Sequence, residues 1–239
     1  MQPIYKYVRL LKRKTDITPE AFRAHWLEAG AQQDRRALAT TPVRRIIKSV
    51  GTGEVAMGGA APPFDAMLAL YFDSLADARA TCEGGRLAAH FGVDPDFIDT
   101  TAPAQEMIAD EYRMGEKTDA EEILSGAGRL KIIRTVYRRH DLSHQQFRDY
   151  WLNNHSKLED VVIAKSPVVR IVATFAVPDG LDGRTPPFDG MAELYFRTPS
   201  DIRSTFTSDI PAMMRKDEEN FVQMDSPAIR FIANEYTAG

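Results

Sequence analysis

The sequence contains one pattern of residues twice, and this duplication limits the folds open to the chain more than any other feature. Aligning Lys6 with Lys131 also brings Trp26 onto Trp151. After one deletion the match continues nearly to the end, with Pro62-Pro63-Phe64-Asp65 on Pro186-Pro187-Phe188-Asp189, Leu70-Tyr71-Phe72 on Leu194-Tyr195-Phe196, and Glu111-Tyr112 on Glu235-Tyr236. The chain therefore holds two copies of one domain.

The duplication predicts a first repeat at residues 1–114 and a second repeat at residues 129–239. The segment between them, Gly115–Gly128, is polar and ends in a glycine-rich run. Such a composition is typical of a linker. We also expect a short helical turn around Ala120–Leu124.

Each repeat shows the order strand, helix, strand, strand, helix, strand. Helix starts are indicated by Thr18 before Pro19, by Ser143 with Gln146 three residues later, and by Thr198 before Pro199. Strands are indicated by β-branched and aromatic residues. The predicted strands are Ile4–Lys12, Val43–Lys48, Met67–Phe72, Glu106–Glu111, Leu130–Tyr137, Val168–Thr174, Met191–Phe196 and Ile229–Glu235.

This order is that of the ferredoxin-like βαββαβ motif, and it predicts an α+β fold. A sheet with helices on one face leaves its other face uncovered. We therefore expect two tandem ferredoxin-like repeats to stack these faces and form an intramolecular dimeric α+β barrel. A ligand cavity is expected between the two sheets.

Charge and composition exclude several classes of function. The formal net charge is −4 and the pI is about 5.8, which does not favour nucleic acid or an anionic membrane surface. Cys82 is the single cysteine, so no intramolecular disulfide forms. No segment approaches the ~20 apolar residues that span a bilayer. We expect a cytoplasmic protein whose partner is a small molecule.

Three motifs resemble the EthD family of the dimeric α+β barrel superfamily. The first is the basic end of the first strand, Lys12-Arg13-Lys14 or Tyr137-Arg138-Arg139. The others are Phe147 with Trp151 and His155 at four-residue spacing, and the block from Pro187 to Phe196. The resemblance implies that one chain supplies a pseudo-dimer, which could pair further into a homodimer.

The resemblance implies several activities. EthD proteins are linked to degradation of xenobiotic ethers beside an oxidative enzyme system, and relatives act as dehydratases, decarboxylases or cyclases on aromatic polyketides. Other branches of the superfamily are cofactor-free or haem-handling monooxygenases. Because one fold hosts many reactions, the chemistry stays open at this point.

His155 is the leading catalytic candidate, because imidazole can both accept and donate a proton at neutral pH. The first repeat has Gly30 at this position, and it has Ala69 where the second repeat has Glu193. This joint difference predicts that Glu193 acts with His155 by orienting the ring or sharing its proton. The alternative is a histidine at a helix end that bonds backbone carbonyls.

Alternation along the third strand of the second repeat predicts that Glu193 and Tyr195 face the cavity between the sheets, while Ala192 and Leu194 face the helices. Burial is then expected to raise the pKa of Glu193. The alternative is a rim carboxylate paired with an arginine. The candidate substrate-binding residues are Tyr137, Arg139, Tyr195, Trp151 and Tyr71.

No metal site or cofactor is predicted. His140 and His144 are four apart, but Ser143 between them is expected to cap a helix, so the two rings do not share one face. Gly58-Gly59 and Gly84-Gly85 lack the strand and helix context of a phosphate-binding loop.

Three functions remain open. The first is an enzyme that dehydrates, decarboxylates or isomerises a small apolar, aromatic or polyketide-like molecule without a cofactor. The second is a ligand-binding or accessory protein of an oxidative catabolic system. The third is a haem-dependent or other monooxygenase.

Overall fold

The computed structural model describes residues 3–53, 63–91, 94–101 and 104–238. Eight antiparallel strands close into one barrel in the order β1-β3-β2-β8-β5-β7-β6-β4. The strands are β1 (Ile4–Leu11), β2 (Arg45–Gly51), β3 (Ala66–Phe72), β4 (Gln105–Glu116), β5 (Arg129–Val136), β6 (Arg170–Ala176), β7 (Gly190–Phe196) and β8 (Arg230–Ala238). Each coincides with a predicted strand to within a few residues, and the predicted α+β class is confirmed.

Each repeat contributes four neighbouring strands to the barrel. The first repeat supplies β4-β1-β3-β2 and the second supplies β8-β5-β7-β6. The two sets join where β2 pairs with β8 and where β4 pairs with β6. Closure therefore leaves neither set with an unpaired edge strand. Strand β4 runs two residues past the predicted end of the first repeat.

The helices lie outside the barrel, and three of them start at the predicted capping residues. They are α1 (Pro19–Ala24), α2 (Ala31–Thr40), α3 (Leu75–Cys82), α4 (Ala120–Ile123), α5 (His144–Tyr150), α6 (Ser156–Lys165), α7 (Pro199–Phe206) and α8 (Ile210–Glu218), with a short 3-10 turn at Arg86–Ala89. Thr18 caps α1, Ser143 and Gln146 form a capping box on α5, and Thr198 caps α7. Helix α4 lies where a helical turn was expected.

One π-helical turn interrupts the first long helix of each repeat. The turns are His25–Ala29, between α1 and α2, and Trp151–His155, between α5 and α6. Such turns occur frequently at functional sites. Because α6 continues to Lys165, His155 lies inside a helical stretch, and the alternative of a helix-end histidine is wrong.

The sheet has two differently packed faces. Phe147 and Trp151, predicted from their spacing to be core residues, are buried between the helices and the outer face. On the inner face, apolar side chains of both repeats form one cluster that includes Val8, Met107 and Met191.

Most of the predicted loop Gly51–Pro63, including Gly58-Gly59, lies outside the described residues. In the described ranges no helix is long and apolar enough to cross a membrane.

Candidate functional site

The barrel interior holds a buried ionic cluster centred on Glu193. Lys6 Nζ lies 2.9 Å from Glu193 Oε1 and 2.7 Å from Glu111. Lys131 binds the other oxygen of Glu193 and lies 2.5 Å from Glu235. Burial alone would raise the pKa of Glu193, but Lys131 and Lys6 outweigh burial and lower it to about 2. The expected rise in pKa is therefore wrong, and Glu193 is an ionised structural carboxylate.

Tyr71 and Tyr195 belong to the same interior cluster. The Tyr71 hydroxyl donates to Glu111 at 2.8 Å and the Tyr195 hydroxyl donates to Glu235 at 2.7 Å. The two tyrosines, the two lysines and these two glutamates are pairs related by the duplication. The predicted ligand cavity between the sheets is thus corrected, because this cluster and the apolar side chains around Val8 and Met191 occupy the barrel interior. Two cavities lie instead on the outer face of the barrel sheet.

The interior cluster also explains Ala69. Glu193 is bound by one lysine from each repeat, so a single carboxylate serves both. Ala69 occupies the equivalent position and is buried against Ile47 and Tyr71. A second glutamate there would add an anion to an interior that already holds three. The difference between the repeats at this position therefore has a structural explanation.

The larger cavity, of about 260 Å³, lies between the outer face of the second repeat's sheet and the surrounding helices. Trp151 and His155 line it from the helix side. Its apolar lining includes Ile132, Ile171, Leu194, Phe206, Ile210 and Met214. The volume is below the roughly 300–1,000 Å³ of pockets for drug-sized ligands. The cavity suits a molecule of one or two rings and does not fit a haem macrocycle, so we assign no step to haem.

His155 and Asp217 form a hydrogen-bonded pair at this cavity. Nδ1 of His155 lies 2.7 Å from Oδ2 of Asp217, and Tyr150 donates its hydroxyl hydrogen to Oδ1 at 2.9 Å. Burial lowers the pKa of His155, and the Asp217 bond only partly opposes this effect. The ring is therefore neutral at pH 7, with the Nδ1 proton facing the carboxylate. Within the described part of the chain Nε2 has no hydrogen-bond partner, so its lone pair can accept a proton.

The structure does not bring His155 and Glu193 together. Ala192 and Leu194 line the cavity beside His155, and Glu193 lies between them on β7. Because successive strand side chains point to opposite faces, the carboxylate of Glu193 lies on the other side of the sheet. The predicted pairing is corrected: the carboxylate that orients His155 is Asp217.

Glu159 is a cavity residue that sequence reasoning missed. Trp151 Nε1 donates to Oε1 of Glu159 at 3.0 Å, while Oε2 is buried without a partner among the described residues. Burial raises the pKa of Glu159 to about 8, against the Trp151 hydrogen bond, which lowers it. The carboxyl is therefore protonated at neutral pH. Its position four residues after His155, which places both on one helix face, was a usable signal.

The first repeat shows why its equivalent site differs. Its cavity measures about 90 Å³. Lys48 Nζ lies 2.5 Å from Asp34, the counterpart of Glu159, and donates to the Trp26 carbonyl at 2.9 Å. A Cβ atom added to Gly30 would lie 2.9 Å from Lys48 Nζ. The lysine thus forms an ion pair with the acid and fills the space that His155 takes in the second repeat, where Ala173 replaces the lysine.

Four of the five predicted substrate-binding residues lie apart from the cavity. Trp151 lines it, but Tyr137 is half-buried against the interior apolar cluster. Arg139 is at the surface and pairs with Asp141. Tyr71 and Tyr195 are inside the barrel, as described above. Three cavity arginines were missed instead: Arg134, Arg215 and Arg230.

Comparison with known proteins settles the family. The EthD domain matches residues 14–100 and 139–225, one match in each repeat and together most of the chain. The chain belongs to the EthD family. No curated protein matches this EthD chain.

Solved structures share the barrel fold with this EthD protein at low sequence identity. An anthrone oxidase-like protein has a TM-score of 0.61 and 7% identity, covering 100% of this chain and 94% of the other. A mutant chlorite dismutase from Candidatus Nitrospira defluvii has a TM-score of 0.54 and 11% identity, covering 98% and 92%. A putative monooxygenase from Lactobacillus acidophilus NCFM has a TM-score of 0.51 and 9% identity, covering 100% and 95%. These likenesses concern the fold alone.

Proposed function

We propose that this protein is an EthD enzyme acting on a small apolar molecule, aromatic or polyketide-like, by cofactor-free acid–base chemistry. The reaction takes place in the cavity of the second repeat, and each repeat is a ferredoxin-like unit. The observation that carries the proposal is the His155–Asp217 pair. Its imidazole ring borders an apolar cavity, and Nε2 has no hydrogen-bond partner among the residues that the structure describes. The predicted reaction class is retained, and the site moves from the barrel interior to its outer face.

His155 acts as the base in this proposal. Nε2 removes a proton from a carbon of the substrate, and Asp217 stabilises the imidazolium that forms. The low polarity of the surrounding side chains strengthens this electrostatic contact. Because burial keeps the free ring neutral, the base form is present throughout the physiological pH range.

Glu159 acts as the acid. In a dehydration it protonates the leaving hydroxyl, which departs as water while the electrons of the broken C–H bond form the double bond. In an isomerisation its O–H hydrogen-bonds the oxygen that becomes negative, and the proton held by His155 returns to another carbon. In a decarboxylation the electrons of the C–CO₂ bond pass into the substrate, which then takes the Glu159 proton. The dehydration and the isomerisation need a neutral base and a protonated acid in one cavity, and the decarboxylation needs the protonated acid.

The test uses purified protein without added cofactor and a panel of one- and two-ring hydroxyketones and β-keto acids in D₂O. Mass spectrometry detects loss of water, loss of CO₂ or uptake of deuterium. We expect turnover by the wild type and a decrease of about 10²- to 10⁴-fold in His155→Gln, the range typical of general acid–base catalysis. His140→Gln, which removes an exposed histidine of the same repeat, serves as the matched control and should retain activity.

The same experiment separates the enzyme from the ligand-binding alternative. Calorimetry on the same compounds measures binding without turnover. Binding with no chemical change in any compound would favour an accessory protein. Equal turnover by wild type and His155→Gln would contradict the proposed role of His155.

A further inference from the structure

Two arginines face each other on the sheet that forms one wall of the cavity. Arg134 on β5 and Arg230 on β8 are direct cross-strand neighbours, and both line the cavity. Like charges directly opposite each other destabilise a sheet. At the equivalent place in the first repeat, Arg9 is opposite Glu106, and the two form an ion pair at 3.9 Å. The second repeat therefore keeps a repulsion that the first repeat lacks.

The protein neutralises only one of these arginines. Arg134 is held by both oxygens of Glu218, with Nη2 lying 3.0 Å from Oε2. Among residues 3–53, 63–91, 94–101 and 104–238, the guanidinium of Arg230 has no hydrogen bond or ion pair. The same holds for the side chain of Arg215, which also lines the cavity. The cavity thus presents two arginine side chains that no anion of the described residues holds in an ion pair.

The other acids at the cavity are not available to these arginines. Asp217 already accepts hydrogen bonds from His155 and Tyr150. Glu159 is protonated near neutral pH because burial raises its pKa to about 8. Burial and Arg134 lower the pKa of Arg230, while Glu218 opposes them, yet an arginine stays charged at physiological pH.

We propose that Arg230 binds a carboxylate group of the ligand, with Arg134 and Arg215 adding positive charge around it. A guanidinium presents paired N–H donors that match the two oxygens of a carboxylate. The apolar lining then takes the ring of the ligand, so the cavity selects small aromatic carboxylates. This inference names the ligand class of the cavity described under the proposed function and rests on that function.

The test compares three probes that differ in one group: benzoate, the neutral benzamide and phenyl phosphate. Isothermal titration calorimetry measures their affinity for the wild type, for Arg230→Met and for Arg9→Met. Arg9→Met removes the equivalent arginine of the first repeat and serves as the matched control. We expect the wild type to bind benzoate about 10- to 100-fold more tightly than benzamide, as a charge-assisted hydrogen bond provides.

Arg230→Met should abolish the preference for benzoate and leave the affinity for benzamide unchanged. Arg9→Met should keep the preference for benzoate. Equal affinity of the wild type for benzoate and benzamide, or a preference retained in Arg230→Met, would overturn the inference. Tighter binding of phenyl phosphate than of benzoate would overturn the carboxylate class. If Arg230→Met does not fold, Arg230→Gln replaces it, and the same results are expected.

Failure of this inference and failure of the proposed function are distinguishable. If the benzoate preference depends on Arg230 but wild type and His155→Gln turn over equally, the carboxylate site stands and the catalytic role of His155 is refuted. If turnover depends on His155 but the wild type shows no preference for benzoate, the carboxylate site is refuted and the catalytic role of His155 stands.

Discussion

Lys6 Nζ lies 2.9 Å from the carboxylate of Glu193, and this buried ion pair joins the first repeat to the second through the barrel interior. Lys131, on the same repeat as Glu193, binds the other oxygen. Without Glu193, Lys6 would keep only Glu111 and Lys131 only Glu235, and breaking buried ion pairs by removing one partner typically costs about 3–5 kcal/mol. The barrel thus depends on Glu193 for stability, a role distinct from the catalytic one that the sequence suggested.

We therefore expect Glu193→Ala to lower the free energy of unfolding by about 3–5 kcal/mol, because each buried lysine loses one of its two carboxylate partners. Urea unfolding followed by circular dichroism measures the change. Arg44→Ala is the control, since its ion pair with Asp73 is exposed and should contribute at most about 1 kcal/mol. A cost for Glu193→Ala no larger than that for Arg44→Ala would contradict this prediction.

The second prediction concerns the protonation of His155. Burial lowers its pKa below the ordinary value of 6.5 and the bond to Asp217 partly opposes that effect, so Asp217→Asn should lower the pKa further. Glu193→Gln should leave it unchanged, because that residue is on the opposite face of the sheet. NMR titration of the imidazole carbon-bound protons checks both, with His155→Gln identifying the signal. A pKa shift in Glu193→Gln as large as that in Asp217→Asn would instead support the pairing of His155 with Glu193 that the sequence predicted.

The third prediction is the pH dependence of turnover. Activity requires His155 neutral and Glu159 protonated, so the rate should follow a bell-shaped curve. The acid limb should lie below pH 6.5, where His155 takes up a proton, and the alkaline limb near pH 8, where Glu159 loses one. Rates measured from pH 4 to 10 in the wild type and in Glu159→Gln test this assignment. An alkaline limb that persists unchanged in Glu159→Gln would contradict it.

The fourth prediction links Glu159 to stability. Between pH 4.5 and 8 the unfolded chain has released this proton while the folded protein keeps it, so stability should fall as pH rises. The contribution is on the order of 2–5 kcal/mol across this range. Glu159→Gln should remove that slope and be the more stable form at pH 8. Urea unfolding from pH 4.5 to 8.5 measures it, and parallel curves for the two proteins would show the prediction to be wrong.

The fifth prediction concerns Lys48, which distinguishes the first repeat from the second. Lys48→Ala leaves Asp34 buried without its cation and should cost about 3–5 kcal/mol near pH 8. The double variant Asp34→Asn with Lys48→Ala should be more stable than Lys48→Ala, since no lone charge remains. Thermal and urea unfolding provide the comparison. No recovery in the double variant would argue against an electrostatic role for the pair.

Much of the fold followed from the sequence. Strand positions were predictable because β-branched and aromatic residues cluster there, and helix starts because Thr18 and Ser143 carry local capping signals. Alternation correctly placed Leu194 toward the helices and Glu193 inward. These features depend on neighbours along the chain, so the residues themselves specify them.

The site followed from the sequence only in part. His155 was found because one repeat has it and the other does not. Its partner Asp217 was missed because a helix of the same repeat brings it in from far along the chain, and no local spacing reports that contact. The π turn at Trp151–His155 also went unpredicted, and it contributes to the placement of the ring.

The sequence by itself determined the duplication, the order of the elements and the face on which each strand residue lies, because these follow from local spacing and periodicity. Only the tertiary structure decided which acid serves which role. Lys131, together with Lys6 from the other repeat, lowers the pKa of Glu193, whereas burial raises the pKa of Glu159. A carboxyl group's chemistry depends on the charges and the solvent around it, and folding alone brings these together.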